Sequence, residues 1–359
     1  MRILITNHVL ESRGGTELFV RDLAGALIRA GDSVSIYSPW LGPIADECRA
    51  LGAFVTDRMR AITQAPDVIH GHHYRALIDA AVRFPYTPIV YVCHGVFPPQ
   101  ECPIKLSTIK KYVGVSRLTR ARISEEIGVD LDDIAIVSNF VDLNRFRTQR
   151  RLPLKPKKAL LFGNHWRSDS YEYQLIAGAC GRSGITSIDI RGWHGTISTA
   201  PENELSNYDV VFAVGRSAIE AMASGCAVIL VDQHGIGGMV TPSNFSELRL
   251  MNFALEATRG NPITEARVCS DLLNYSRFEA SAVTARVRSE LSLETAAETL
   301  RRFYLDALNS STERLSAVAA YATLINTKWR FREGRIAFAA SGVSYLIDQI
   351  VSRITELCS

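Results

Sequence analysis

The sequence predicts an α/β protein made of two doubly wound domains. Three observations carry that expectation. The 359 residues exceed the about 250–300 at which a single core stops growing. Short apolar runs alternate with stretches of helical period, the pattern of parallel strands covered on both faces. The alternation stops at a basic, proline-containing stretch, residues 145–158, and begins again beyond it.

Taken in order, residues 2–6 form an apolar run that leads through polar residues to Gly14-Gly15. Leu18, Phe19, Leu23, Leu27 and Ile28 then recur at three and four, which predicts a helix. Thr16 is the expected cap, Glu17 and Asp22 suit the positive helix end, and Gly31 is the expected stop. Residues 34–37 read as a second strand, completing a βαβ unit. Further strands are expected at 68–70, 89–93, 112–115 and 134–137, giving a Rossmann-like first domain over 1–144. Residues 145–158 hold seven basic residues, no acidic one and two prolines, so they read as a linker and hinge. A second Rossmann-like domain, 159–310, is expected from strands at 159–162, 188–190, 210–213 and 228–231 and helices at 173–182 and 217–224. Residues 311–359 read as a helical C-terminal extension. Its stripe of Leu346, Ile347, Ile350, Val351, Ile354 and Leu357 calls for cover. The expected cover is the rest of the chain, with a homodimer or a peripheral contact at the inner membrane surface as alternatives.

With 47% hydrophobic and 21% charged residues, the chain has material for two cores. A net charge of +3 is too small to argue for a nucleic-acid partner. The seven cysteines are scattered and form no C-x-x-C pair, which favours reduced thiols over a disulfide framework or a zinc site. The first apolar run is shorter than the core of a signal peptide, and no stretch approaches the about 20 apolar residues of a membrane span. The expected compartment is the cytoplasm.

The segment Tyr208 to Ile229 carries the chemistry. An apolar strand runs into Gly215-Arg216-Ser217 and a helix starts at once, with Ser217 as its expected cap. Backbone N–H groups at the carboxyl edge of a sheet, with Arg216 beside them, suit a phosphate. Glu220, one turn in, can accept two hydrogen bonds from a ribose diol. Plainer readings stand beside these. Arg216 can pair with Glu220, Gly14-Gly15 can be only a tight turn, and His72 and His73 read first as structural histidines. His94 follows a strand, on a loop, where sites concentrate.

This segment resembles the "EAMA-x-G-x-PVI" core of the family 4 glycosyltransferases, which have the GT-B fold. Gly14-Gly15, Pro66-Asp-Val-Ile-His-Gly-His-His73, Val92-Cys-His-Gly95, Val115-Ser116 and Val137-Ser-Asn-Phe-Val-Asp142 with Phe146 resemble its other signatures, in order, from residue 1 to about 305. The resemblance implies a GT-B-like pair of domains with the working site in the cleft between them. It implies a retaining hexosyltransferase of carbohydrate biosynthesis, moving a sugar from a nucleotide-sugar donor to a glycan, lipid-linked or small-molecule acceptor, with neither metal nor cofactor. Glu220 matches the ribose-binding glutamate, Gly14 and Gly15 the loop facing the donor phosphates, and His94 the histidine near the transferred sugar, the catalytic candidate. Where the family places a "GR" and a later "KG" to hold the diphosphate, Gly163 is followed by Asn164-His165-Trp166-Arg167, which leaves Arg167 as the donor-binding candidate. The family's other glutamate, eight positions before Glu220, is replaced by Phe212, whose ring is expected where relatives contact the sugar hydroxyls. Its "GG-x-x-E" reads Gly235-Ile-Gly-Gly-Met239, without the acid. Two alternatives therefore stay open: a GT-B protein that binds nucleotide or sugar, or supports a partner, without transfer, and a nucleotide-sugar epimerase or hydrolase.

Overall fold

The computed structural model describes residues 1–333, Pro98 and Gln149 excepted. The apolar stripe expected over 346–357 lies outside the described residues. The chain divides into two compact units: Met1–Val137 together with the chain from Ala297 on, and Ser138–Ala296.

The first unit is built on a parallel sheet of seven strands. They are β1 (Arg2–Thr6), β2 (Ser33–Tyr37), β3 (Phe54–Thr56), β4 (Val68–Gly71), β5 (Ile89–Cys93), β6 (Ile109–Gly114) and β7 (Ile134–Ile136). Their order across the sheet is β3-β2-β1-β4-β5-β6-β7. The chain therefore winds one way from β1 to β3 and returns to start again at β4, so the order reverses between β1 and β4. Ile3 lies opposite Val34 on one side and Val68 on the other. Ile3, Leu4 and Ile5 are all buried, as a strand covered on both faces requires.

Helix α1 (Gly15–Arg29) follows β1 and buries Phe19, Val20, Leu23 and Leu27. Its N-cap is Gly14, with no side-chain cap; Thr16 lies inside the first turn, and its hydroxyl donates to Glu17. α2 (Pro43–Ala50) and α3 (Tyr74–Arg83) follow in turn. α4 (Arg117–Ile127) begins in a capping box: the Ser116 hydroxyl accepts from the Thr119 N–H while the Thr119 hydroxyl accepts from the Ser116 N–H. It ends at Gly128 in the left-handed conformation, φ +63°.

The second unit holds a five-stranded sheet. Its strands are β8 (Lys158–Phe162), β9 (Ser187–Arg191), β10 (Val210–Ala213), β11 (Ala227–Asp232) and β12 (Gly235–Met239), in the order β9-β8-β10-β11-β12. The first four are parallel and β12 is antiparallel. Here the order reverses between β8 and β10. α5 (Tyr171–Arg182), α6 (Gly215–Ala223) and α7 (Arg277–Glu290) pack on this sheet.

Besides residues 138–144, expected in the first domain and part of the second unit, the expected domain limits need correction at two places. Residues 145–158 are no free linker; they are stitched into the second unit. Arg145 pairs with Glu202 at 2.7 Å and Arg150 with Asp209, while Phe146 and Leu152 are buried. Two of the charges that suggested a solvated hinge have partners 57 and 59 positions away. The second change is at the C-terminal side. α8 (Leu293–Leu308) passes into the first unit at Ala297, and α9 (Ala317–Glu333) packs there against α3. Residues 297–310, expected in the second domain, thus belong to the first. Among the described residues no helix is long and apolar enough to cross a membrane.

Candidate active site

Each unit gathers buried polar side chains where its strand order reverses, the crevice at which open α/β sheets bind ligands. In the first unit these are histidines. His70 is the penultimate residue of β4, and His72 lies two residues on, so the strand's period of two sets both rings on one side. Their Nε2 atoms are 2.9 Å apart. His72 Nδ1 meets His94 Nε2 at 2.7 Å, and His70 Nδ1 meets the Tyr304 hydroxyl of α8 at 2.7 Å. The result is one hydrogen-bonded row, Tyr304–His70–His72–His94. Phe19 of α1 closes its side, with ring centroids 5.5 Å from His72 and 4.7 Å from His94.

A second pair braces the same loop. His73 takes a left-handed backbone conformation, φ +49°. Its Nδ1 accepts from the His8 backbone N–H at 3.0 Å, so its Nε2–H donates to Glu101 at 3.2 Å. The other oxygen of Glu101 accepts from the His94 backbone N–H at 3.1 Å. Burial alone would raise the Glu101 carboxyl; hydrogen bonds and charge from His73 and His94 outweigh it and hold the group at about 2. Desolvation pushes the other way on the imidazoles. It lowers His70 to about 3, His94 to about 4 and His72 well below the usual value, with the neighbouring histidines adding to the effect. The row is therefore neutral at physiological pH. Among the described residues no group of three or more His, Cys, Asp or Glu is arranged to hold a metal ion.

Gly14 caps α1 and Gly15 opens it. The space a side chain would take at Gly14 is filled by the Glu17 carboxylate, which also accepts from the hydroxyls of Ser12 and Thr16. The helix start thus already has an anion of its own, in place of the open phosphate loop expected there.

In the second unit only Val214 separates β10 from α6. Gly215 turns the chain with φ +56°, a conformation that suits glycine. The N-cap is Val214; Ser217, the expected cap, lies inside the first turn. The Gly215 N–H donates to the Phe253 carbonyl at 2.7 Å, so this amide is spent. Asn252 and Phe253 are themselves left-handed, φ +57° and +52°, and Asn252 Oδ1 accepts from the Asn139 N–H at 2.8 Å. Three left-handed residues held by cross-bonds therefore shape the start of α6. Arg216 Nε donates to Glu220 at 2.8 Å, and both side chains are buried. Of the two readings of this pair, the mutual ion pair is the one the helix adopts, at the i,i+4 spacing.

Two candidates stand apart from these clusters. Arg167 is exposed and forked onto Asp169, at 2.9 and 2.8 Å. Phe212 is fully buried in the core with Leu161, Ile176 and Ile229. The reason is the short turn: counting eight back from Glu220 arrives inside β10. Missed by sequence reasoning were His70, Glu101, Tyr304, Asn252 and Phe253. The His70/His72 spacing was a usable signal; Tyr304 lies 234 residues from His70 and had none.

Two doubly wound sheets, each with buried polar residues at its reversal point, define a GT-B-like fold. Residues 13–145 match the family model described as Glycosyltransferase Family 4, which supports glycosyl transfer as the class of reaction. Among solved structures, a glycosyltransferase from Rickettsia africae shares 15% identity, with 86% of this chain and 99% of that one covered at a TM-score of 0.62. The lipopolysaccharide outer core galactosyltransferase WaaB shares 12%, covering 85% and 99%, TM-score 0.52. A putative UDP-N-acetylglucosamine 2-epimerase from Listeria monocytogenes shares 12%, covering 87% and 97%, TM-score 0.50. Identities this low carry the fold alone. No curated protein sequence matches the chain.

Proposed function

We propose that the protein transfers a sugar, in the retaining manner, from a nucleoside-diphosphate sugar to an acceptor hydroxyl. The observation that carries the reading is the buried Arg216–Glu220 pair at the head of α6, at the point where the second sheet reverses its order. A carboxylate there suits a ribose diol, and the guanidinium with the amides of the helix start suits a diphosphate. The same groups would stabilise charge on the departing diphosphate, which is the main catalytic demand of the step. His94, neutral and half-buried, is the residue we assign to the transferred sugar.

A second reading, nucleotide binding without transfer, is favoured by one observation: Arg167 and Arg216 each spend charge on a carboxylate of their own unit. Calorimetry with UDP, GDP and ADP separates the outcomes. One of the three is expected to bind, and Glu220→Gln to weaken it by about tenfold, the worth of one charge-assisted hydrogen bond. Equal affinity in a folded Glu220→Gln protein removes Glu220 from the site. Binding with no acceptor-dependent release of nucleotide from any nucleotide-sugar supports the second reading.

A further inference from the structure

The row Tyr304–His70–His72–His94 has a direction. Each neutral imidazole carries one N–H, and each contact between ring nitrogens needs one donor and one acceptor. The three histidines are neutral, since burial holds His70 to about 3 and His94 to about 4, with His72 well below its usual value. A choice at one end therefore sets every ring in the row.

Tyr304 makes the choice. Its ring is completely buried, and among the described residues its hydroxyl has one protein partner, His70 Nδ1 at 2.7 Å. Burial raises this phenol well above its usual value, so it keeps its proton. A buried O–H without an acceptor is costly, so the hydroxyl donates to His70 Nδ1. His70 must then carry its proton on Nε2 and donate it to His72 Nε2, 2.9 Å away. His72 must be protonated on Nδ1, which donates to His94 Nε2 at 2.7 Å. His94 is left with its proton on Nδ1. That atom has no partner among the described residues, and it is absent from the buried atoms that lack one.

We propose that Tyr304, acting through His70 and His72, locks His94 as its Nδ1–H tautomer, so that the loop after β5 offers a ligand oxygen a hydrogen-bond donor and offers no base. Tyr304, His70 and His72 are positioning residues. The proposal rests on the reading of His94 as the ligand-facing histidine. It assigns that residue to holding an oxygen lone pair of the bound sugar and excludes it from deprotonating the acceptor hydroxyl.

The test reads the imidazole nitrogens of the resting full-length protein by two-bond 15N–1H correlation, with each histidine assigned by its substitution to Asn. It needs no sugar donor, so a protein that transfers no sugar still reports its tautomers. The expected pattern is Nε2–H at His70, Nδ1–H at His72 and Nδ1–H at His94. An Nε2–H His94 overturns the proposal. Tyr304→Phe removes the directing donor, and in a folded variant His94 is expected to show a mixture of tautomers. A His94 that stays wholly Nδ1–H in folded Tyr304→Phe overturns the role of Tyr304. If the variant does not fold, the wild-type pattern decides alone: the stated order supports the proposal and any other refutes it.

Discussion

At the residue scale, the histidine cluster makes the first unit sensitive to acid. His70 is held to about 3, and His8 and His94 to about 4, against 6.5 for an ordinary histidine, with desolvation the largest cause in each case. These are depressed values for basic groups. Below pH 6.5 the unfolded chain takes up protons that the folded unit refuses, so stability is full above that pH and falls as pH drops through the window from 6.5 to about 3. For His70 the loss by pH 4 is about 3 kcal/mol. Glu101, at about 2 against 4.5, adds to it below pH 4.5, because its ionised form is bonded only in the folded state. Hydrogen exchange at β4 and β5 should therefore accelerate steeply between pH 6.5 and 4 after correction for intrinsic rates. Flat protection over that range would show that the histidines are not held neutral by the fold.

At the element scale, two left-handed glycines should behave very differently. Gly192 follows β9 with φ +146°, and a side chain there would run into the Gly163 carbonyl at the end of β8. Gly215 opens α6 with φ +56°, yet the nearest atoms to an added Cβ are 3.9 and 4.0 Å away. Gly192→Ala meets backbone that cannot give way and should cost about 3 kcal/mol or more. Gly215→Ala meets only ordinary van der Waals contacts and should cost only the conformational penalty, about 1–2 kcal/mol. Urea titration of the two variants checks the order; equal midpoints would mean that the β8 and β9 ends do not approach as described.

At the scale of the whole molecule, the chain's return to the first unit is the feature with most consequence. Arg301 of α8 forks onto Asp32 at 2.8 and 3.2 Å, and the N-terminal amine joins the same carboxylate at 2.9 Å. Beyond α8, the Leu315 N–H bonds the Pro85 carbonyl, and Leu315, Ala320 and Tyr321 are buried. A chain ending at residue 310 exposes the α3 face that these residues cover. It should lose about 3 kcal/mol or more of first-unit stability, the usual result of uncovering two large side chains. Calorimetric melting of the shortened and full chains tests this, and an unchanged first transition would show that the return is ornamental to that core.

Local pattern was enough for most strands of both sheets, though not for the edge strands β3 and β12. Apolar runs and helical periods are properties of neighbouring residues, and β5 and β10 fall where the runs lie. The glycine turn into α6 and the place of Glu220 within it were legible for the same reason, because a strand, a left-handed turn and a helix start within seven residues follow local rules. What local pattern misjudged was partnership. The basic stretch 145–158 looked solvated because its acidic partners, Glu202 and Asp209, come from elsewhere in the chain. Phe212 looked like a site residue because counting along a motif ignores the length of the turn between. Gly14 looked like a phosphate loop, and the fold lays Glu17 across it. Above all, His94 could be picked out as a residue while its tautomer could not. That is decided by a tyrosine 210 positions further on, brought into hydrogen-bonding range of His70 only when α8 returns to the first sheet.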